Sequence, residues 1–275
     1  MPRYSVETIK KFKANKKKFA TLTAYDYTSA KLVDKAGIPL ILVGDSASMV
    51  MYGYDTTIPI TMDEMIFVVS AVSRGSSEAL VVADMPFMSY QSSIEIALEN
   101  AGKFIKQSRA GAIKLEGGQE MENTISAIVK IGIPVMAHIG LTPQSFHQMS
   151  GYKIQGKSLK TAEKILADAY AVEKAGAFAL VLEGIPSELA EKITNSISIP
   201  TIGIGAGPHC DGQIQVFHDI LGLFDSFEPK HAKQFANISN MISDAIIEYK
   251  TDVENGQFPS EKNYISIDKK IVKQL

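Results

Sequence analysis

The sequence predicts an α/β fold of the (β/α)8 class, the TIM barrel, and three features of the chain support this prediction. Short apolar runs of strand length alternate with stretches of helical spacing. The runs are continuously apolar, as parallel strands buried on both faces should be. Eight such units suffice to close a parallel sheet into a barrel. Because 275 residues is an ordinary length for one such barrel, we predict a single barrel domain over residues 1–275.

Eight segments are predicted to be strands, and each is a short apolar run. They lie near residues 19–25, 39–45, 79–85, 111–117, 134–140, 178–184, 200–205 and 216–222. Three of the runs follow a segment that ends the helix before them, because glycine can end a helix and proline cannot continue one. These segments are Gly37-Ile38-Pro39, Gly132-Ile133-Pro134 and Ser198-Ile199-Pro200.

Between the predicted strands, apolar residues recur every three or four positions, which indicates helices with one apolar face. One such set is Ile94, Ala97, Leu98, Ala101, Phe104 and Ile105, and the last set is Phe235, Ile238, Ile242, Ala245, Ile246 and Tyr249. Ahead of the first strand, residues 10–18 are basic and lack the apolar segment of a signal peptide. We therefore expect a helix there that docks on the base of the barrel.

Composition argues against several classes of function. The net charge is -2, with 28 Lys and Arg against 30 Asp and Glu, so nothing favours a nucleic-acid partner. No apolar run has the length of a membrane span. The single cysteine, Cys210, excludes an internal disulfide and a cysteine-rich metal site, and it fits a reducing compartment. The remaining values are those of an ordinary globular protein.

Four of the apolar runs end in an acidic residue, namely Asp45, Asp84, Glu116 and Glu183. In a parallel barrel the C-terminal ends of all strands meet at one face, which carries the chemistry. Carboxylates gathered there need a positive partner, and a divalent cation is a suitable one. Each aspartate could instead cap the helix that follows it. For Asp45 and Asp84 together with Glu116 we favour a metal site, with Mg²⁺ as the ion.

Lys114 and Glu116 are two residues apart on the fourth predicted strand, so both side chains face the same side of the sheet. If that side is the barrel interior, Lys114 could neutralise a substrate oxygen and Glu116 could orient a metal-bound water. A structural ion pair is one alternative, and a Schiff-base lysine is another. We rank the Schiff base last, because neighbouring carboxylates keep a lysine protonated and a poor nucleophile.

Two residues are candidates for a general base. Glu183 ends the sixth run, where a partly buried carboxylate would suit proton abstraction. Its alternative is a place beside a helix N-terminus without a catalytic role. His138 lies near the end of the fifth run, and a lone histidine on a strand is more often a satisfied core residue than a catalyst. The position of His138 among these acids makes the two interpretations about equal, so both residues stay open as the base.

Several segments together resemble one family, the ketopantoate hydroxymethyltransferases, also called 3-methyl-2-oxobutanoate hydroxymethyltransferases. Each segment is a weak signal alone, but their order along roughly residues 4 to 250 is specific. They are Leu22-Thr23-Ala24-Tyr25-Asp26, Val43-Gly44-Asp45-Ser46, Gly53-Tyr54-Asp55-Thr56-Thr57, Val82-Ala83-Asp84-Met85-Pro86-Phe87, Lys114-Leu115-Glu116-Gly117-Gly118, His138-Ile139-Gly140-Leu141-Thr142-Pro143-Gln144, Gly203-Ile204-Gly205-Ala206-Gly207 and Cys210-Asp211-Gly212-Gln213. Two loop positions depart from the family pattern, because Met88 and Ser150 stand where glycine is common.

The resemblance implies a barrel of the phosphoenolpyruvate mutase and isocitrate lyase type, and roles for individual residues. Mg²⁺ would be bound by Asp45 and Asp84 with Glu116 close by, and Glu183 matches the family's proton acceptor. We expect the substrate to be bound by Asp45, Ser46, Asp84, Lys114 and His138. Family members are cytoplasmic in bacteria and often decameric, so we expect a cytoplasmic homo-oligomer, a decamer by resemblance.

The activity that the resemblance implies is transfer of a hydroxymethyl group from 5,10-methylenetetrahydrofolate to 3-methyl-2-oxobutanoate. The product is 2-dehydropantoate (ketopantoate), and the reaction is the first step of pantothenate and coenzyme A biosynthesis. One alternative is a metal-dependent C–C lyase of the same superfamily acting on a small oxo or hydroxy acid. A second is a non-catalytic metabolite-binding barrel, which would keep Ser46 and Lys114 but would not need Glu183.

Overall fold

The computed structural model describes residues 4–149, 151, 153–224 and 230–275. Eight parallel strands form a closed barrel in which each strand pairs with the next along the chain and the last pairs with the first. This confirms the predicted fold class. The strands are β1 Phe19–Thr23, β2 Leu40–Val43, β3 Leu80–Asp84, β4 Ala112–Glu116, β5 Val135–Gly140, β6 Ala179–Glu183, β7 Thr201–Ile204 and β8 Gly212–Gln215.

Helices connect most of the strands on the outside of the barrel. Several begin with a side-chain cap, and in α4 the Thr61 hydroxyl accepts from the Glu64 N–H while the Glu64 carboxylate accepts from the Thr61 N–H. The α-helices are α1 Val6–Ala14, α2 Tyr27–Lys35, α3 Ala47–Val50, α4 Met62–Gly75, α5 Ile94–Lys103, α6 Glu122–Lys130, α7 Phe146–Met149, α8 Leu159–Lys174, α9 Ser187–Ser196, α10 Phe217–Leu221, α11 Ile238–Glu254 and α12 Lys269–Val272.

The eighth strand is the one strand prediction that is wrong. The apolar run at 216–222 mostly forms α10, and the strand is the preceding Gly212–Gln215. This strand reads Gly-Gln-Ile-Gln, and only Ile214 joins the barrel interior. The link from β7 to β8 contains no helix, so the alternation of strand and helix that located the other strands fails here. The other seven observed strands lie inside their predicted ranges.

Side chains that point into the barrel fill its lower half with apolar residues. Leu40, Leu80, Val82 and their equivalents on the other strands form a buried cluster. Helix α1 contributes Ile9 to the same cluster, which confirms that the basic N-terminal segment docks on the barrel base. Because inward side chains recur every second residue, the next inward position beyond Val82 is Asp84. The chain therefore changes from apolar to charged at the upper end of the barrel.

The residues on the other side of each strand pack against the helices. Ile41, Val81, Ile113 and Val135 are fully or almost fully buried in a second cluster that includes the inner faces of α4 and α8. Both faces of the strands are therefore covered, which explains why their sequences are continuously apolar.

The described residues divide into two compact units. The first comprises the described residues up to Phe217 together with 230–232, and the second comprises the remaining C-terminal residues. The predicted last helix is present as α11, but its side chains are exposed, including Ile246 and Tyr249. In the described ranges, the helices fall short of the length and apolarity needed to cross a membrane. The single domain and the decamer stay predictions.

One partly buried loop is organised by a carboxylate at the barrel base. Asp34, near the end of α2, accepts hydrogen bonds from the Ser76 hydroxyl at 2.8 Å, the Ser77 N–H at 3.0 Å and the Ala79 N–H at 2.8 Å. The Glu78 N–H adds a further bond at 3.1 Å. Burial raises the pKa of Asp34, but these bonds outweigh it and lower the pKa from 3.8 to about 2. The loop that leads into β3 is thereby fixed.

Asp34→Asn should lower the free energy of unfolding by about 1–3 kcal/mol at neutral pH, because an amide cannot accept all these bonds. The folded pKa lies below the unfolded value of 3.8, so the carboxylate's contribution is complete above that pH and is lost as the pH falls toward about 2. Urea denaturation of both proteins at neutral and acidic pH measures the difference. The exposed Asp63→Asn serves as the control, and a difference for Asp34→Asn that does not shrink in acid would contradict the prediction.

Candidate active site

The charged residues predicted from the sequence come together at the C-terminal mouth of the barrel. Strand register places Asp84 beside Lys114 and Glu116 beside His138. Glu183 lies beside Gly140, one step further up the barrel. The first four of these side chains are almost fully buried, whereas the Glu183 side chain keeps 18% of its surface exposed. The mouth therefore has a dry, charged floor and one carboxylate at its open side.

Asp45 and Ser46 reach the same floor from the turn after β2. The Asp45 N–H donates to Asp84 Oδ2 at 3.3 Å, and the Ser46 hydroxyl lies 2.7 Å from the hydroxyl of the buried Tyr25. A Cβ on Gly44 would stand 2.7 Å from Ser46 Oγ, so only glycine allows the serine to fold back in this way. Asp45 and Ser46 therefore lie at the face predicted from the sequence, and Tyr25 joins them there without a predicted role.

An ion pair between Lys114 and Asp84 occupies the centre of the floor. The Lys114 Nζ lies 2.8 Å from both oxygens of the Asp84 carboxylate. Burial alone would lower the pKa of Lys114, but Asp84, Glu116 and Asp45 raise it above its usual value. The amine therefore stays protonated, which disfavours the Schiff-base interpretation.

Negative charge exceeds positive charge at this floor. Burial, followed by repulsion from Asp84, raises the pKa of Asp45 well above its usual range. Burial also raises the pKa of Asp84, against the opposing effect of Lys114. Glu116 Oε1 is buried without a hydrogen-bond partner among the described residues. The site therefore has more carboxylate oxygens than positive groups or hydrogen-bond donors to pair with them. Mg²⁺ prefers such oxygens and is usually bound by one or two carboxylates.

These donors fit a cation through two carboxylates more readily than through three. Across residues 4–149, 151, 153–224 and 230–275, no three His, Cys, Asp or Glu side chains are already grouped as metal ligands. The main-chain N–H of Asp45 donates to Asp84 Oδ2, and the two carboxylates are close enough for Asp84 to raise the pKa of Asp45, while Glu116 is turned toward His138. The three-residue assignment of Asp45, Asp84 and Glu116 therefore stays a prediction, with the first two the better placed.

His138 lies between two carboxylates. Its Nδ1 is 3.4 Å from Glu116 Oε1, and its Nε2 is 3.2 Å from Glu183 Oε2. Neither contact has the geometry of a hydrogen bond, so these are charge contacts. Burial and Lys114 lower the pKa of His138, but the two glutamates outweigh them and raise it to about 9. The imidazole is therefore a cation near neutral pH and not a free base.

Two buried side chains that the sequence analysis did not single out link these acids. The Tyr90 hydroxyl accepts from the Glu116 N–H at 3.0 Å and donates to Gln144 Oε1 at 2.7 Å. Gln144 in turn donates to Asp45 Oδ2 at 2.9 Å. Gln144 belongs to a segment that carries the family resemblance, so a signal for it existed. Tyr90 lies in a polar loop where nothing in the sequence marks it.

Met88 and Ser150 are the two departures from the family pattern. Met88 adopts a left-handed backbone with φ of 66°, which explains why glycine is common at this position. Its side chain is 55% exposed, so the larger residue finds room in solvent. Ser150 lies outside the described residues.

The chain is similar to one known protein family over nearly its whole length. The family model described as ketopantoate hydroxymethyltransferase matches residues 3–261. A 3-methyl-2-oxobutanoate hydroxymethyltransferase of Dehalococcoides mccartyi is 55% identical over 273 residues, which cover 99% of this chain and 98% of that protein. An enzyme of the same name from Carboxydothermus hydrogenoformans is 52% identical over the full length of both chains.

Solved structures with low sequence identity share the fold. A phosphonopyruvate hydrolase solved in complex with oxalate and Mg²⁺ has a TM-score of 0.62 and 13% identity, covering 98% of this chain and 94% of that one. A 2,3-dimethylmalate lyase of the phosphoenolpyruvate mutase and isocitrate lyase superfamily has a TM-score of 0.57 and 18% identity, covering 98% and 92%. These likenesses agree with the closed parallel barrel of this chain. With the family model and the close relatives spanning nearly all of its length, the chain belongs to the ketopantoate hydroxymethyltransferase family.

Proposed function

We propose that the protein transfers a hydroxymethyl group from 5,10-methylenetetrahydrofolate to 3-methyl-2-oxobutanoate. Membership of the family supports this activity, and one structural observation carries it. The buried Lys114–Asp84 pair forms the floor of the mouth, while the Glu183 carboxylate stands at its open side. Enolate chemistry requires a positive group that holds the oxo acid and a carboxylate that removes a proton.

The residues present fit a resident Mg²⁺, which Asp45 and Asp84 would hold with Glu116 nearby. When bound, such an ion supplies Lewis acidity to the carboxylate and keto oxygens of the oxo acid. The remaining contributions come from the chain itself. Burial and the nearby Asp84 both destabilise the ionised form of the Asp45 carboxylate. A bound cation would offset this cost, so the pair of carboxylates favours cation binding.

Lys114 and Ser46 would hold the oxo acid. The ammonium of Lys114 stays protonated beside Asp84 and would attract negative charge that develops on the keto oxygen. The Ser46 hydroxyl is oriented by Tyr25 at 2.7 Å and is half-buried, so it can donate to a substrate carboxylate. Burial of the floor excludes water, which strengthens both interactions.

Glu183 would act as the general base. It would take the proton from C3 of the oxo acid, and the carbanion would attack the methylene carbon donated by the folate. A new C–C bond forms as one bond from that carbon to a folate nitrogen breaks. A water molecule breaks the bond to the second folate nitrogen and supplies the hydroxyl group, and the two nitrogens take up the proton from C3 and one proton of the water. Among the acids of the mouth, Glu183 is the one with an exposed fraction large enough to meet a substrate, at 18% against at most 5% for the others.

Incubation with both substrates and Mg²⁺ tests the whole proposal, since 2-dehydropantoate should form and its mass is unlike that of either substrate. A lyase of the same superfamily would act without folate and yield smaller fragments. A binding protein would yield no product at all. Either of those results would overturn the proposed reaction.

The proposed metal site predicts that Asp45→Asn weakens Mg²⁺ binding by at least about 100-fold. Loss of a residue that only hydrogen-bonds to a metal ligand already lowers metal affinity about 10- to 100-fold, and loss of a direct ligand should cost more. The fold should survive, because Asp45 is not the partner of Lys114. Asp84→Asn should also weaken binding, but it leaves a buried ammonium unpaired and should lower stability by about 3–5 kcal/mol. Calorimetric titration with Mg²⁺ and thermal unfolding measure the two effects. An unchanged Mg²⁺ affinity in Asp45→Asn would exclude the site.

The base assignment predicts exchange of the C3 hydrogen of 3-methyl-2-oxobutanoate with solvent deuterium, dependent on Mg²⁺. Glu183→Gln keeps the shape of the side chain and removes the basic oxygen, so the exchange rate should fall by roughly 10²- to 10⁴-fold. The exposed Glu188→Gln is the matched control and should exchange normally. Proton NMR of the methine signal in D₂O follows the rate. Normal exchange by Glu183→Gln, together with loss in His138→Asn, would move the base to His138.

A further inference from the structure

Gln144 is the most fully hydrogen-bonded side chain of the mouth. It lies on the loop after β5 with an exposed fraction of 4%. Its amide nitrogen donates to Asp45 Oδ2 and to the Met85 carbonyl, both at 2.9 Å. Its amide oxygen accepts from the Tyr90 hydroxyl at 2.7 Å and from Gln91 Nε2 at 3.0 Å. The amide nitrogen and the amide oxygen therefore each make two hydrogen bonds.

The orientation of this amide is fixed by its neighbours. The Met85 carbonyl can only accept, so the group facing it must be the NH₂. The Tyr90 hydroxyl accepts from the Glu116 N–H, and its own proton has the amide oxygen at 2.7 Å as a closer acceptor than the Glu116 carbonyl at 3.3 Å. The NH₂ must then also face Asp45.

The backbone of Gln144 contacts a second acid of the mouth. Its N–H donates to Glu116 Oε2 at 3.0 Å, leaving Oε1 without a hydrogen-bond partner in the described chain. One residue therefore holds one oxygen of Asp45 through its side chain and one oxygen of Glu116 through its main chain. No other residue of the described ranges makes hydrogen bonds to both of these carboxylates.

Asp45 has particular need of such a partner. Asp84 and Glu116 are fixed by strand register, but Asp45 follows β2 in a turn that no neighbouring strand pairs with. The hydrogen bond that the described residues give to its carboxylate comes from Gln144. Without it, the Asp45 side chain could rotate away from Asp84 under their mutual repulsion.

We propose that Gln144 is a positioning residue for the reaction, which fixes the directions of the Asp45 and Glu116 carboxylates so that their other oxygens stay available to a divalent cation. This inference rests on the proposed function for the identity of the cation. The position demands an amide. A glutamate would set an oxygen against two acceptors, Asp45 Oδ2 and the Met85 carbonyl, and an apolar residue would leave the buried Asp45 oxygen unsatisfied.

Gln144→Met keeps the volume of the side chain and removes the amide. Mn²⁺ serves as the probe, because the free ion is counted directly by electron paramagnetic resonance in the full-length protein without substrate. The Kd for Mn²⁺ should rise 10- to 100-fold, the range found when a group that orients a metal ligand is lost. In turnover, the Mg²⁺ concentration that gives half of the maximal rate should rise by a similar factor, while kcat at saturating Mg²⁺ falls less.

Gln119→Met is the matched control. Gln119 also donates through its main chain and its side chain to a buried carboxylate, that of Asp168, at 3.1 and 3.2 Å. The Gln119 side chain is exposed and loses one hydrogen bond where Gln144 loses four, so Gln119→Met should cost less thermal stability. Its Mn²⁺ affinity should stay within about threefold of wild type. If Gln144→Met does not fold, Gln144→Asn replaces it, because its shorter amide cannot reach both Asp45 and Met85, and the Kd should still rise at least threefold.

The outcomes separate this inference from the proposed function. A wild type that binds Mn²⁺, with Gln144 variants that bind it equally well, would overturn the positioning role alone. An equal loss of affinity in Gln119→Met would assign the effect to general loosening and would also overturn it. A wild type that does not bind Mn²⁺ would overturn the metal site and this role together. Hydroxymethyl transfer is measured separately, so a folded binder without that activity would contradict only the proposed reaction.

Discussion

The arrangement of this molecule depends on the buried contact between Lys114 and Asp84. Three carboxylates, Asp45, Asp84 and Glu116, are almost withdrawn from water at the floor of the mouth. The ammonium of Lys114 pairs with Asp84 and the imidazole of His138 contacts Glu116, so the carboxylates outnumber the positive groups. Removing each ion from water costs several kcal/mol in practice, so burial of these charges lowers the stability of the folded protein. The apolar filling of the lower barrel, closed at the base by α1, supplies the stability that keeps these charges in place. The excess of negative charge is then available for a cation, which would relieve repulsion inside the protein as it binds.

The alternation of side chains along a strand explains how charge and apolar filling share one barrel. In β3 and β4 the lower inward positions are apolar and the upper ones are Asp84, Lys114 and Glu116. The sequence shows this division, because Asp84 and Glu116 each close an apolar run. The apolar runs themselves explain why seven strands were predicted correctly. The strand Gly212–Gln215 has one inward apolar residue and half-exposed glutamines, so it lacks the apolar run that identified the others.

The parts of the site that the sequence did not reveal are those held by loops. Gln144 and Tyr90 acquire their roles from contacts with residues 26 to 99 positions away along the chain, such as Glu116 and Asp45. No local pattern encodes such a contact, since a buried glutamine in a loop looks like any solvated one. Met88 is a related case, because only the backbone shows that its position is left-handed. Strand patterns therefore predict which residues face the mouth, whereas the hydrogen bonds that aim those residues become visible only in three dimensions.

The place of His138 suggests why the mouth contains a histidine that is poorly suited to be a base. It lies between Glu116 and Glu183, at 3.4 and 3.2 Å, and these two acids keep it positively charged near neutral pH. A cation in that position reduces the repulsion between the two glutamates. If Glu183 is the base, as proposed, proton transfer removes one of the two charges that hold His138, and the attraction between His138 and Glu116 remains. His138 would then stay in place through the contact with Glu116. Exchange of the substrate's C3 hydrogen should therefore depend on His138 through Glu183, with the proton itself carried by the carboxylate.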